Sequence, residues 1–118
     1  MYDEIPINSE KANPLAIKVA DEITRMRQRI VSMPSDINGI SQMLKSLERL
    51  EEELNILGFE LPKLLNKPYD DGMTVKARFI PSVDFKNNQR IITKIIRPQI
   101  NFNGHLLQVA EVEVSVGI

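Results

Sequence analysis

The stretch QRIITKIIRPQINFNGHLLQVAEVEVSV, Gln89 to Val116, constrains this chain more than any other. Two runs of β-branched and aliphatic residues flank Asn103-Gly104. A two-residue type I′ turn needs positive φ at both central positions, and Asn-Gly supplies it at least cost, so the spacing predicts a β-hairpin. Val112, Val114 and Val116 alternate with Glu111, Glu113 and Ser115, which marks one buried and one wet face. Thr74 to Ile80 alternates too, with Val75, Ala77 and Phe79 on one side, and Pro81-Ser82 is expected to stop it. From about Tyr69 onward the pattern predicts a small antiparallel sheet or partly open barrel.

Upstream the period changes to that of helices. Asn13-Pro14 reads as a helix start, with Asn as cap and Pro at the first helical position. Leu15, Val19, Ile23, Met26, Ile30 and Met33 follow at spacings of four and three, a narrow apolar stripe of the bundle or coiled-coil kind. Arg25, Arg27 and Arg29 fall off that stripe, as a solvated face or a partner-contact patch. Pro34 ends the helix. Ser35 is the expected cap of a second helix, with Asp36 in its first turn. Its stripe is Ile37, Ile40, Leu44, Leu47, Leu50, Leu54 and Leu57, with a register shift between Leu47 and Leu50. Gly58 is placed to close it at C′.

Each helix has an apolar stripe and little else to bury it against. Self-association into a two-chain bundle is the economical solution; an intramolecular helical hairpin packed on the sheet is the competing one. The division is then residues 1–12 as an N-terminal arm, 13–67 as a helical dimerisation part and 68–118 as a C-terminal β domain. Within it, Phe59 to Lys67 is a connector with a short helical turn expected after Pro62, and Pro68 to Gly72 is a turn-rich boundary. The fold class is α+β.

Composition narrows the chemistry. The chain has 118 residues, a formal net charge of -1 and no cysteine, so thiolate catalysis and disulfides are excluded. Balanced charge argues against a general nucleic-acid binder. No apolar run approaches the roughly 20 residues of a membrane span. The first residues lack a signal-peptide core, and the cytoplasm is the expected location. The single histidine, His105, follows the turn and lacks a second His or a Cys for a metal site. Asp70-Asp71 are turn formers, since adjacency does not aim two carboxylates at one substrate. The five glycines form no phosphate-cradling pattern. No enzyme, cofactor or metal is expected. Lys76 and Arg78 on one strand, with Arg90, Lys94 and Arg97 on another, form a positive patch if those strands pair: either an aggregation-blunting strand face or a docking surface.

The order of these parts resembles GrpE, the nucleotide-exchange co-chaperone family of DnaK-type ATPase chaperones. The stretch from Ile91 to Val116 looks like that family's final hairpin. Lys67-Pro68-Tyr69-Asp70 looks like its Glu/Lys-Pro-Phe-Asp turn, and Leu57-Gly58-Phe59-Glu60 like the Gly-Val-Glu that closes its last helix. The similarity runs from about Asp36 to Val116. It implies a homodimer joined by the helices; the stripe positions assigned to dimerisation are Leu15, Val19, Ile23, Met26, Ile30, Ile37, Ile40, Leu44, Leu47, Leu50, Leu54 and Leu57. It also implies β heads that wedge open a DnaK-type chaperone and release ADP. By position, the partner face is Asn103, Gly104 and His105, supported by Ile96 and Val114. The chain departs from the family at His105, where Arg is usual, near Gln108, where a basic residue is usual, at Gln99-Ile100, and in its shorter first helix. Losing the Arg weakens charge-assisted contact with an acidic partner. The alternative is a dimeric adaptor that keeps the fold and binds another protein.

Overall fold

The computed structural model describes residues 9–118; the arm expected over 1–12 lies outside them except for its last four residues, which are helical. Helix α1 is Ser9–Val31, so Asn13 is not its cap and Pro14 lies inside it. That proline removes one i→i−4 bond near the start of a long helix, where the loss is tolerated. The helix stops three residues before Pro34, as the sequence implies. Helix α2 is Ile40–Ile56, and its cap is Gly39 at φ 92, not Ser35. Ser35 and Asp36 are spent on a separate turn, in which Ile37 N donates to Pro34 O at 3.2 Å. Gly39 O then accepts the amide of Met43 at 2.9 Å. Gly58, at φ 98, closes α2 as read from the sequence.

Six strands follow: β1 Phe59–Glu60, β2 Val75–Ser82, β3 Arg90–Arg97, β4 Ile100–Phe102, β5 His105–Gln108 and β6 Ala110–Gly117. Asn103 (φ 48) and Gly104 (φ 83) both occupy the left-handed region, so the expected hairpin turn forms. Its arms do not stay in one sheet. Each breaks, at Pro98-Gln99 and at Val109, into an inner and an outer piece. The inner pieces β4 and β5 join β1 in the order β1-β4-β5, while the outer pieces join β2 in the order β2-β6-β3. Register shifts between Ile92 and Lys94 and between Ile95 and Arg97 mark two bulges in β3, which bend and twist that arm.

Strand β2 runs parallel to β6, from Val75↔Ala110 to Ser82↔Gly117, so the second sheet is mixed and the purely antiparallel expectation is corrected. Pro81 and Ser82 stay within β2. A proline is accommodated there because β2 is an edge strand, with no ladder bond required on its outer side. The connector is not helical after Pro62. It turns at Asn66, φ 67, and follows the outer edge of β3. Asn66 N donates to Ile92 O at 2.8 Å, Ile92 N to Lys67 O at 2.9 Å, and Tyr69 N to Arg90 O at 2.9 Å.

Two apolar clusters hold this together. In the first, Ala16, Ala20, Ile23 and Ile30 of α1 meet Leu47 and Leu54 of α2, Phe59 and Ile100. In the second, Ile92, Val112 and Val114 are covered by Leu64, Tyr69, Met73 and Val75. Thus one chain buries the centre of both helical stripes in a helical hairpin packed on β1-β4-β5. The expectation that a single copy cannot cover them is corrected to that extent. Part of each stripe stays uncovered. At about 100° per residue, Met43, Leu50 and Leu57 share one side of α2, while Val19 and Met26 of α1 pack half-buried against the core. Leu15, Leu50 and Leu57 are 63%, 44% and 50% exposed. The molecule is 63 × 40 × 16 Å.

Candidate functional site

The residues singled out for partner contact fall in two places. Asn103, Gly104 and His105 form the exposed tip of the β4–β5 hairpin. The tip is anchored on the end of α2: Asn103 N donates to Gly58 O at 3.0 Å. A Cβ on Gly58 would lie 2.5 Å from Asn103 Oδ1, so the contact needs glycine for space as well as for φ. Phe59 and Phe102 stack beneath it with centroids 4.7 Å apart. Ile96 and Val114 are in the other sheet. Val114, at 0% exposure, supports that sheet and touches no partner; Ile96 sits half-buried at a bulge of β3.

The five cations grouped from sequence do not form one patch. Lys76 is opposite Glu111 and Arg78 opposite Glu113 across β2 and β6; Arg97 and Lys94 flank the same two glutamates from β3. Lys76 Nζ to Glu111, Arg78 Nη1 to Glu113 and Arg97 Nη1 to Glu111 are 3.8, 3.9 and 4.0 Å. The wet face is therefore a ladder with two carboxylates between four cations. Such exposed pairs contribute ~0–1 kcal/mol each. Arg90 leaves the group: it donates to Asp71 at 2.8 Å and lies 5.1 Å from the Tyr69 ring centroid. The hydrogen bond to Asp71 holds its pKa above the ordinary guanidinium value. The sequence contains the signal for the ladder, the Glu-Val alternation of β6. Which strands flank β6 is not written in any local pattern.

A polar junction between α1 and the hairpin has no sequence signal at all. Arg97 Nη2 donates to Asp21 Oδ2 at 3.2 Å and to Gln108 Oε1 at 2.6 Å. Gln108 Nε2 donates to Asp21 Oδ1 at 2.9 Å and to Pro98 O at 2.8 Å. Gln108 thus fixes the break in the β3–β4 arm onto the helix, using both ends of its amide. Beside this junction, α1 and the β3 side of the second sheet diverge around an open groove of about 870 Å³.

The apolar positions assigned to dimerisation also divide. Ile23, Ile30, Leu47 and Leu54 are buried inside the chain, and Val19, Met26, Ile40 and Leu44 are half-buried against them. Leu15, Ile37, Leu50 and Leu57 remain exposed, joined by Met43, which the stripe read from sequence omits. Among the described residues no group of three His, Cys, Asp or Glu side chains could hold a metal ion, and no helix is long and apolar enough to cross a membrane. Compared with family models and with curated proteins, the chain matches none of either.

Proposed function

We propose that this protein is a GrpE-like, non-enzymatic co-chaperone acting in the cytoplasm as a homodimer. Its β part binds the nucleotide-binding domain of a DnaK-type chaperone and promotes ADP release. One observation carries the reading: the helical hairpin keeps large apolar side chains exposed, Met43, Leu50 and Leu57 at heptad spacing on α2 and Leu15 on α1. A second copy presenting the same side chains would bury them, in the isologous way of two-fold dimers. The sheets would then project from a central bundle, with the Asn103–His105 tips free to engage a partner.

The mechanism is differential binding. A head that prefers the open, nucleotide-free form of the chaperone shifts the population toward it, by no more than its difference in affinity for the two forms. Stopped-flow release of fluorescent ADP from a DnaK-type chaperone tests this. Acceleration that saturates with added protein is expected. Saturated binding without acceleration would remove the exchange step.

The second reading, a dimeric adaptor for another protein, is favoured by Gln108. Its amide is committed to Asp21, Arg97 and Pro98 inside the chain, and His105 alone stands at the tip. An adaptor predicts capture of a partner that ATP does not release; the first reading predicts retention of an ATPase chaperone that falls when ATP is added.

A further inference from the structure

The groove between α1 and the β3 side of the second sheet is used by neither reading. It is lined by the last two turns of α1, Glu48 and Glu51 of α2, the connector, the middle of β3 and Pro98-Gln99. Three of its cations, Arg29, Lys63 and Lys94, have no carboxylate within ion-pair distance among the described residues. They differ in this from Arg25 and Arg27, which are held by Glu22 and Glu51. Of the groove's carboxylates, Glu51 is engaged by Arg27 and Glu113 by Arg78, which leaves Glu48. The uncommitted charge is three positive against one negative. Val31 and Leu65, 71% and 47% exposed, add an apolar surface to the lining.

We propose that this groove takes an extended acidic peptide segment of a partner protein, with aliphatic side chains between its carboxylates. The carboxylates meet Arg29, Lys63 and Lys94. The aliphatic groups cover Val31 and Leu65. The volume is at the upper end of what small binding clefts enclose, enough for a few residues in extended form. The remaining Glu48 and the apolar lining count against a phosphate backbone, which carries a charge at every step and no aliphatic group. Glu48 lies on the opposite side of α2 from Leu50 and Leu57, and Thr24 and Gln28 on the opposite side of α1 from Leu15, whereas Arg29 lies on the Leu15 side.

The inference does not depend on the exchange reading, and its test uses neither chaperone nor nucleotide. A fluorescein-labelled peptide of alternating Glu and Leu is titrated with the whole protein and followed by anisotropy. A Lys-Leu peptide and an oligothymidine strand are the comparison arms. The Glu-Leu peptide is expected to bind, and to bind less tightly as salt rises. Charge reversal at R29E and K94E together is expected to weaken it by about tenfold or more, equivalent to ~1.4 kcal/mol. Both side chains are exposed and unpaired, so the fold is retained. In ¹⁵N-resolved spectra of the unaltered protein, the backbone amides of Arg29, Lys63 and Lys94 are expected to shift with the peptide and not with the Lys-Leu control. Equal binding of the two peptides, tighter binding of oligothymidine, or an affinity indifferent to R29E/K94E would each overturn the proposal.

Discussion

Single residues fix this structure at points where backbones approach closely. Gly117 is the strictest. A Cβ there would fall 1.7 Å from Lys86 O and 2.8 Å from Phe85 O, because the loop before β3 lies against the end of β6. Gly104 needs its positive φ but has nothing within 4 Å of an added Cβ. The G117A variant is therefore expected to lose more stability than G104A in urea unfolding. The latter should lose about 1–2 kcal/mol, the cost of placing an L side chain in the left-handed region; G117A should exceed it, since a backbone carbonyl cannot rotate away. Q108L is expected to cost ~1–3 kcal/mol, as Asp21 loses a donor and Arg97 an acceptor. A double-mutant cycle with D21N should show coupling, because the three side chains share one network. Asn103-Gly104 and Gly58 were legible in the sequence, since a turn or helix end is decided by its own few residues. Gly117 and Gln108 were not: the groups that constrain them are distant in the chain and adjacent only in space.

Elements were legible to the extent that their period is local. Both helices, and the alternation in β2 and β6, follow from apolar spacing. Where α2 begins did not follow, because Ser35-Asp36 offers a cap that the preceding Pro34 turn consumes. Strand partners did not follow either. Nothing in Val75 to Ser82 states that it will run parallel to β6, and nothing around Pro98 states that the hairpin arm will change sheets there. The helical stripes named Ile23, Ile30, Leu47 and Leu54 of the core, but they missed Ala16, Ala20 and Met43, included Ile37, which lies outside α2, and did not show which residues face each other. That distinction is testable. I23A removes a side chain 1% exposed between the two helices, and is expected to cost ~2–5 kcal/mol of unfolding free energy whatever the protein concentration. L50K alters the uncovered face. It is expected to leave the far-ultraviolet circular dichroism of the chain unchanged while abolishing any dependence of the melting temperature on protein concentration. A concentration-dependent loss in I23A with none in L50K would reverse the assignment of the two faces.

The whole molecule is extended. Its radius of gyration, 16.8 Å, exceeds the roughly 13–14 Å of a compact domain of this length. Leu15, Met43, Leu50 and Leu57 of the helical hairpin belong to neither apolar cluster and stay exposed. Exposed apolar side chains of this kind are a contact surface in monomeric form and an interior in a bundle. The GrpE-like reading and the adaptor reading both rest on that surface being closed by a second copy. Light scattering coupled to size exclusion at micromolar concentration measures this directly. A mass of twice the chain's 13.5 kDa, reduced to the single-chain mass by L50K, is the result this account requires. A single-chain mass for the unaltered protein, unchanged on concentration, would contradict it.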